Sequence, residues 1–399
     1  MNKYDLETIV NRAHTGNLKE YFTPDDLKHK GIESFNAAEM DFKTAPSVIE
    51  AVKEFAEEGL FGFTLMDQDY TDAVRYWMKE VRGIEIEQEW IEPTMGTIFS
   101  VATAIRMCVP EDENIIIQPP VYNRYRQAAE RLGRGTVMNP LIRESDGSYH
   151  MDLDDLEKKM ADPANRLLII CNPQNPTGTV WPVEVLTEVA RLALKYDVIV
   201  FSDEIFADYT FEGHTVPMYC TVNGGYNNGI SATSLGKTFS FTGVNHANLL
   251  IADPALKERF NRQKYSDHYG SLEPMARAAL IGAYSPEGIE WKNEVQELIK
   301  ENESEIRRFF KRYLPEVVIS PLEGSYVLWI DWRGLGLDPD EFRRIVYEKA
   351  MFLLEDGTDF CIDTKGFTRM SIATPKRVVA GALARLLDVT EDIRKECYE

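Results

Sequence analysis

The sequence predicts an α/β fold: a mostly parallel central sheet flanked by helices, plus a small α+β domain. Two observations predict it. Short apolar runs, "NIIIQPP", "RLLIICNP", "DVIVFSDE" and "HANLLIADP", each end in a polar or proline-containing turn. Amphipathic helical stretches such as "YNRYRQAAERLG" and "VEVLTEVARLALKYD" lie between them. Strands that are apolar on both sides and alternate with helices imply a mostly parallel sheet covered on both faces.

Each element follows from its own residues. "PTMGTIFSVATAIRM" (93–107) reads as a glycine turn opening a helix. "NIIIQPP" is a strand leading to Tyr122, and "RLLIICNP" leads into the proline-rich turn "NPQNPTG" with Asn175. "DVIVFSDE" carries Asp203 at its end, and Lys237 in "SATSLGKTFSFTG" follows a further strand. In such sheets ligands collect at the carboxyl ends of the strands, where these four residues fall. From about Trp291 the character changes. A charged helical stretch, "WKNEVQELIKENESEIRRFFKRYLP", leads into "VVISPLEGSYVLWIDW"; then come the helical "DPDEFRRIVYEKAM", the strand in "GFTRMSIATP" and a last helix. The expected division is a large domain at 46–290, with a small one built from the arm 1–45 and from 291–399. No repeat, low-complexity stretch or glycine/serine linker interrupts it.

Bulk properties narrow the function. A chain of 399 residues with 44% hydrophobic residues can bury a sizeable core and shows no sign of disorder. Its net charge of −21 repels nucleic acid and anionic membranes, while leaving room for a local basic pocket that takes a small anion. The cysteines (Cys108, Cys171, Cys220, Cys361 and Cys397) are odd in number, form no CxxC pair and read as reduced thiols of a cytoplasmic protein. The start, "MNKYDLETIVNRAHTG", lacks the apolar core of a signal peptide, and no run reaches the length of a membrane span. The histidines (His14, His29, His150, His214, His246 and His268) show no metal-binding spacing, so no metal is expected. No GxGxxG follows a strand, which argues against a dinucleotide enzyme.

Lys237 lies among Ser, Thr and Gly, a setting suited to a Schiff-base lysine. A lysine-bound pyridoxal phosphate needs an amine, a carboxylate for the ring nitrogen, a flat partner for the ring and a phosphate cup. It also needs a donor to the ring oxygen and a cation for the substrate carboxylate. Each need has a candidate. The amides of Gly96, Thr97 and Ile98 at a helix start suit a phosphate, with the Ser234 hydroxyl beside them. Asp203 suits the ring nitrogen, Tyr122 the ring face, Asn175 the ring oxygen or the substrate, and Arg369 the carboxylate. Taken singly, each has a plainer reading: a surface lysine, an ordinary helix start, a turn serine or asparagine, a helix cap, a packing tyrosine, a solvent-facing arginine.

Together and in order, the motifs resemble fold-type I pyridoxal-phosphate enzymes. More narrowly they resemble the cystathionine β-lyases and C–S lyases related to class I and II aminotransferases. The carrying motifs are "AAEMDF", "LFGFT", "IQPPVYNRY", "NPQNPTGTVW", "SDEIFADYTFEGH", "SLGKTFSFTG", "LEGSYVLWID" and "GFTRMSIATP", spread over nearly the whole chain. The resemblance implies a PLP-dependent transferase (aspartate aminotransferase-like) fold, pyridoxal 5'-phosphate as cofactor, and a homodimer with active sites at the interface. It implies Lys237 as imine lysine and proton shuttle, Asp203 as partner of the ring nitrogen and Asn175 as donor to the ring oxygen. It also implies Tyr122 as stacking ring and Arg369 as clamp on the substrate carboxylate. The expected reaction is β-elimination from cystathionine, cysteine or a related thioether amino acid. The alternative is transamination, and a non-catalytic cofactor-binding regulator comes third.

The sequence departs from the family pattern in four places. Phe63 stands where relatives carry a tyrosine that reaches the neighbouring subunit's cofactor. Phe206 replaces a tyrosine or histidine, Asn245 replaces the phosphate-binding arginine of aminotransferases, and Glu39 replaces an aspartate. Losing hydroxyl donors at Phe63 and Phe206 is expected to weaken cofactor binding, since a hydrogen bond to a charged group is worth roughly 1.5–3 kcal/mol.

Overall fold

Seven strands form the central sheet: β1 Ile91–Thr94, β2 Asn114–Ile117, β3 Gly135–Met138, β4 Asn165–Cys171, β5 Ile199–Asp203, β6 Gly229–Thr233 and β7 Ala247–Leu250. Their spatial order is β1-β7-β6-β5-β4-β2-β3. All pairings are parallel except the two made by β7, which runs antiparallel to β1 and β6. This computed structural model describes residues 3–12, 15–21, 23–28, 33–211, 213–361, 364–391 and 393; His14, His29 and Cys397 lie outside them.

Side-chain alternation explains why the strands read as continuous apolar runs. Ile115, Ile117, Leu167, Ile169 and Phe201 face one side, where they pack with Val101, Ala104 and Ile105 of helix α1, Thr97–Cys108. Ile116, Leu168, Ile170 and Val200 face the other, against Leu186, Val189 and Ala193 of helix α2, Val183–Lys195. Successive residues of a strand point to opposite faces, so burying both faces requires apolar residues throughout. Each fully buried aliphatic side chain contributes about 1.5–3 kcal/mol.

The C-terminal part builds a second sheet of four antiparallel strands, β8 Val318–Ile319, β9 Val327–Asp331, β10 Glu355–Asp356 and β11 Phe367–Ser371, in the order β8-β9-β11-β10. Glu33–Ser34 of the N-terminal segment pairs parallel with Phe352–Leu353, tying the arm to this part. The boundary expected near Trp291 falls inside one continuous helix, α3, Pro286–Tyr313, whose start is capped by the Ser285 side chain. Trp291, Val295, Ile299 and Phe310 of α3 join Val327, Ile330 and Met370 in one core cluster. The helical stretch "DPDEFRRIVYEKAM" is a short α-turn, Pro339–Phe342, continued as a π-helix over Arg343–Lys349. No helix among the described residues is long and apolar enough to cross a membrane.

This topology positions the site. The parallel strands β2, β4, β5 and β6 end at Ile117, Cys171, Asp203 and Thr233. The loops after them carry Tyr122, Asn175 and Lys237 to one edge of the sheet, facing β10 and β11 of the small sheet.

Candidate active site

A cleft of about 1220 Å³ lies at that edge. Gly96, Thr97, Ile98, Tyr122, Asn175, Asp203, Ser234, Lys237 and Arg369 all line it, as do Glu39, Phe206 and Asn245. Phe63 does not: it is 101% exposed, beside the exposed Leu60, Phe61 and Leu65.

Lys237 stands in a single helical turn, Leu235–Thr238, started by Ser234, whose Oγ accepts from the Gly236 amide at 3.1 Å. Lys237 Nζ donates to the Ala38 carbonyl at 2.8 Å, and Tyr326 Oη donates to the same oxygen at 3.0 Å. The Lys237 ammonium lies 5.6 Å from the centre of the Phe206 ring. Burial, aided by the charge of Arg369, pushes the amine down to about 8. Loss of hydration disfavours the charged form of an amine, so a larger share is neutral and nucleophilic near neutral pH.

Asp203 is 2% exposed at the end of β5. It accepts from Tyr125 Oη at 2.5 Å and from the Ile205 amide at 3.3 Å. Burial pushes its carboxyl up to about 6, against the pull of those two donors and of Lys237. Tyr125 was not singled out by the sequence; the available signal was its place three residues after Tyr122, in the first turn of the helix Arg124–Arg131. The rings of Tyr122 and Tyr125 meet edge to face at 5.8 Å.

The turn "NPQNPTG" is closed by the amides of Gly178 to Gln174 O and of Gln174 to Thr179 O. Gln174 Nε2 then donates to the carbonyls of Gln118 and Pro120, which ties this turn to the loop bearing Tyr122. Asn175 Oδ1 accepts from Arg369 Nη1 at 2.7 Å. Arg369 on β11 is 4% exposed and lies directly opposite Glu355 in the ladder, with its Nη2 bonded to that carboxylate. Arg369 is therefore buried and lines the cleft, not the solvent-facing arginine of the plainer reading.

The other end of the cleft holds the start of α1. Gly96 caps it at φ 112°, a backbone region that favours glycine. The first amides of a helix lack partners within it. Ser234 Oγ donates its one proton to the His246 carbonyl at 2.8 Å. His246 is buried, pairs through Nε2 with Tyr70 Oη at 2.7 Å, and has no partner at Nδ1. Burial pushes it down to about 4, so it stays neutral and supplies no charge in place of an arginine at position 245.

These elements define the class of protein. The chain belongs to the family described as aminotransferase class I and II, whose sequence pattern matches residues 30–386. Within that family it is 31% identical over 350 residues to the cystathionine beta-lyase PatB of Bacillus subtilis, covering 88% of this chain and 90% of that one. It is 26% identical to an aspartate aminotransferase of Pyrococcus horikoshii, over 96% of this chain and 97% of the relative. Among solved structures, cystalysin from Treponema denticola, which contains a pyridoxal 5'-phosphate cofactor, matches with a TM-score of 0.90 and 28% identity, covering 98% of this chain and 99% of that one.

The Tyr125–Asp203 bond yields a prediction. The hydroxyl favours the ionised carboxylate, so Tyr125→Phe should raise the Asp203 carboxyl beyond about 6 in the cofactor-free protein. Carbon NMR titration of labelled aspartate reads this directly; an unchanged or lower midpoint would show that the bond does not govern the group.

Proposed function

We propose that this protein is a pyridoxal-phosphate-dependent C–S β-lyase that releases a thiol, pyruvate and ammonia from cystathionine, cysteine or a related thioether amino acid. The observation that carries the reading is half-buried Lys237 beside buried Asp203 at the strand ends, in a chain 31% identical to a cystathionine beta-lyase.

The donor set fits the cofactor. Its aldehyde calls for an amine that is neutral in part near pH 7, as burial makes Lys237. Its ring nitrogen calls for a carboxylate shielded from water, as Asp203 is. Its phosphate calls for N–H donors, which the start of α1 at Gly96, Thr97 and Ile98 offers; Ser234 can add a donor once its bond to His246 is given up. Asn175 would donate to the ring oxygen through its amide nitrogen while its Oδ1 holds Arg369. Tyr122 would cover the ring face. When bound, the cofactor draws in the electron pair left at the substrate α-carbon.

The chain's own groups then act in order. Arg369 takes the α-carboxylate and fixes which bond at the α-carbon stands next to Lys237. Lys237 Nζ removes the α-proton. The bond between β-carbon and sulfur breaks, sulfur leaving as thiolate with the electron pair, and the ammonium of Lys237 can return a proton to it. Water completes release of pyruvate and ammonia. Tyr125 keeps Asp203 ionised, and the closed edge of the sheet keeps water from the carboxylate.

Transamination is the second reading, favoured by the aspartate aminotransferase at 26% identity. It shares every step through loss of the α-proton. Stoichiometric pyruvate and ammonia from cystathionine, with no added keto acid, are the expected products of the purified protein. Turnover that requires a keto acid, with the amino group recovered on a new amino acid, would falsify the lyase reading.

We also propose that residues 46–290 hold the cofactor, that 1–45 and 291–399 close over it, and that the enzyme works in the cytoplasm. The free thiols Cys108, Cys171, Cys220 and Cys361 support a reducing compartment. The proposed assembly is a homodimer. Leu60, Phe61, Phe63 and Leu65 present adjoining apolar side chains at 79%, 66%, 101% and 70% exposure, a patch that a second copy would cover. Sedimentation should give a dimer; a fully active monomer would refute the assignment of Phe63 to the partner's site.

A further inference from the structure

Arg369 is not waiting with an open face. Its Nη1 is bonded to Asn175 Oδ1 at 2.7 Å and its Nη2 to Glu355. The two bonds differ in kind. Asn175 belongs to a buried turn that Gln174 ties to its neighbours, and it is itself 6% exposed. Glu355 sits on β10, a two-residue strand at the edge of the small sheet, and its side chain keeps 23% exposure while lining the cleft. Asn175 and the Phe360 ring, 5.0 Å from the guanidinium, are buried and already orient Arg369. Glu355, on the edge strand, is the most exposed of these three neighbours.

A guanidinium that is 4% exposed is costly without a counter-ion. Before a substrate arrives, Glu355 supplies that charge from the opposite ladder position. We propose that Glu355 is an internal counter-ion occupying the carboxylate-binding face of Arg369 in the empty site, and that the substrate's α-carboxylate binds by displacing it. The inference rests on the reading of Arg369 as the carboxylate clamp. Its partial exposure gives the displaced Glu355 a path to water. The consequence is a specificity rule: a ligand must offer a carboxylate able to outcompete an intramolecular one, so weak anions are kept out and every true ligand binds more weakly than Arg369 alone would allow.

The test is binding rather than turnover. 2-Methylalanine has an α-carboxylate but neither an α-hydrogen nor a β-leaving group, so it can undergo neither elimination nor transamination through loss of an α-proton. Calorimetric titration of the holoprotein with 2-methylalanine should show that Glu355→Gln, and Glu355→Ser as a second variant, bind it about tenfold or more tightly than the wild type, the scale of one charge-assisted bond removed from the competitor. Asp356→Asn removes a neighbouring negative charge whose carboxylate bonds Thr358 instead. It should tighten binding much less. Unchanged or weaker binding in the Glu355 variants, no binding in any of the proteins, or equal tightening by Asp356→Asn would overturn the proposal. Pyruvate from cystathionine reports on the reaction class separately, so either idea can fail alone.

Discussion

Lys237, half-buried, and Asp203, buried, stand at the same edge of the central sheet, and loss of hydration acts on them in opposite directions. It lowers the amine to about 8 and raises the carboxyl to about 6. Both groups are thus brought closer to neutral pH than either would be in solution, where small changes in surroundings decide their charge. The rest of the site limits this effect. Tyr125 donates to Asp203 and resists its protonation, while the Ala38 carbonyl accepts from Lys237 and anchors the amine. A sheet covered on both faces makes such burial possible, because its strand ends open into a space closed by the N-terminal arm and the small sheet.

The large fold was legible because its strands are apolar throughout, and only a sheet buried on two faces requires that. The single antiparallel strand, β7, was not distinguishable, since strand direction leaves no mark on a four-residue apolar run. The change of character near Trp291 falls inside α3, which begins at Pro286, because proline and a serine cap start the helix before its charged face appears. Every residue proposed from the sequence for the site lines the one cleft. Most were visible because they end or follow an apolar strand, or sit in a turn of unusual composition, while Arg369 stood out as a charge inside the strand β11. Tyr125, marked only by its nearness to Tyr122, and Tyr326 and Glu355, marked by nothing, were not found. Their partners lie 78, 288 and 14 positions away, and only the folded chain brings them together.

The departures from the family pattern take on physical meaning in the fold. Phe206 has no hydroxyl to offer, but its buried ring lies against Tyr326 and beneath the Lys237 ammonium, an arrangement that favours a cation. Glu39 accepts from Arg12 at 2.8 Å and from Thr242 at 2.9 Å, joining the arm to the segment that follows Lys237. Burial works against its charged form, yet these bonds hold its carboxyl below the usual range. At position 245 an uncharged side chain stands beside a neutral histidine, so a phosphate there would rely on backbone amides and on the dipole of α1 rather than on a side-chain cation.

We propose Lys237 as the amine bonded to the cofactor. Borohydride reduction of the holoprotein, followed by peptide mapping, tests it most directly. The cofactor should be recovered on the peptide containing Lys237 and on no other. Recovery on a different lysine, or a protein that loads cofactor yet leaves Lys237 unmodified after reduction, would contradict it.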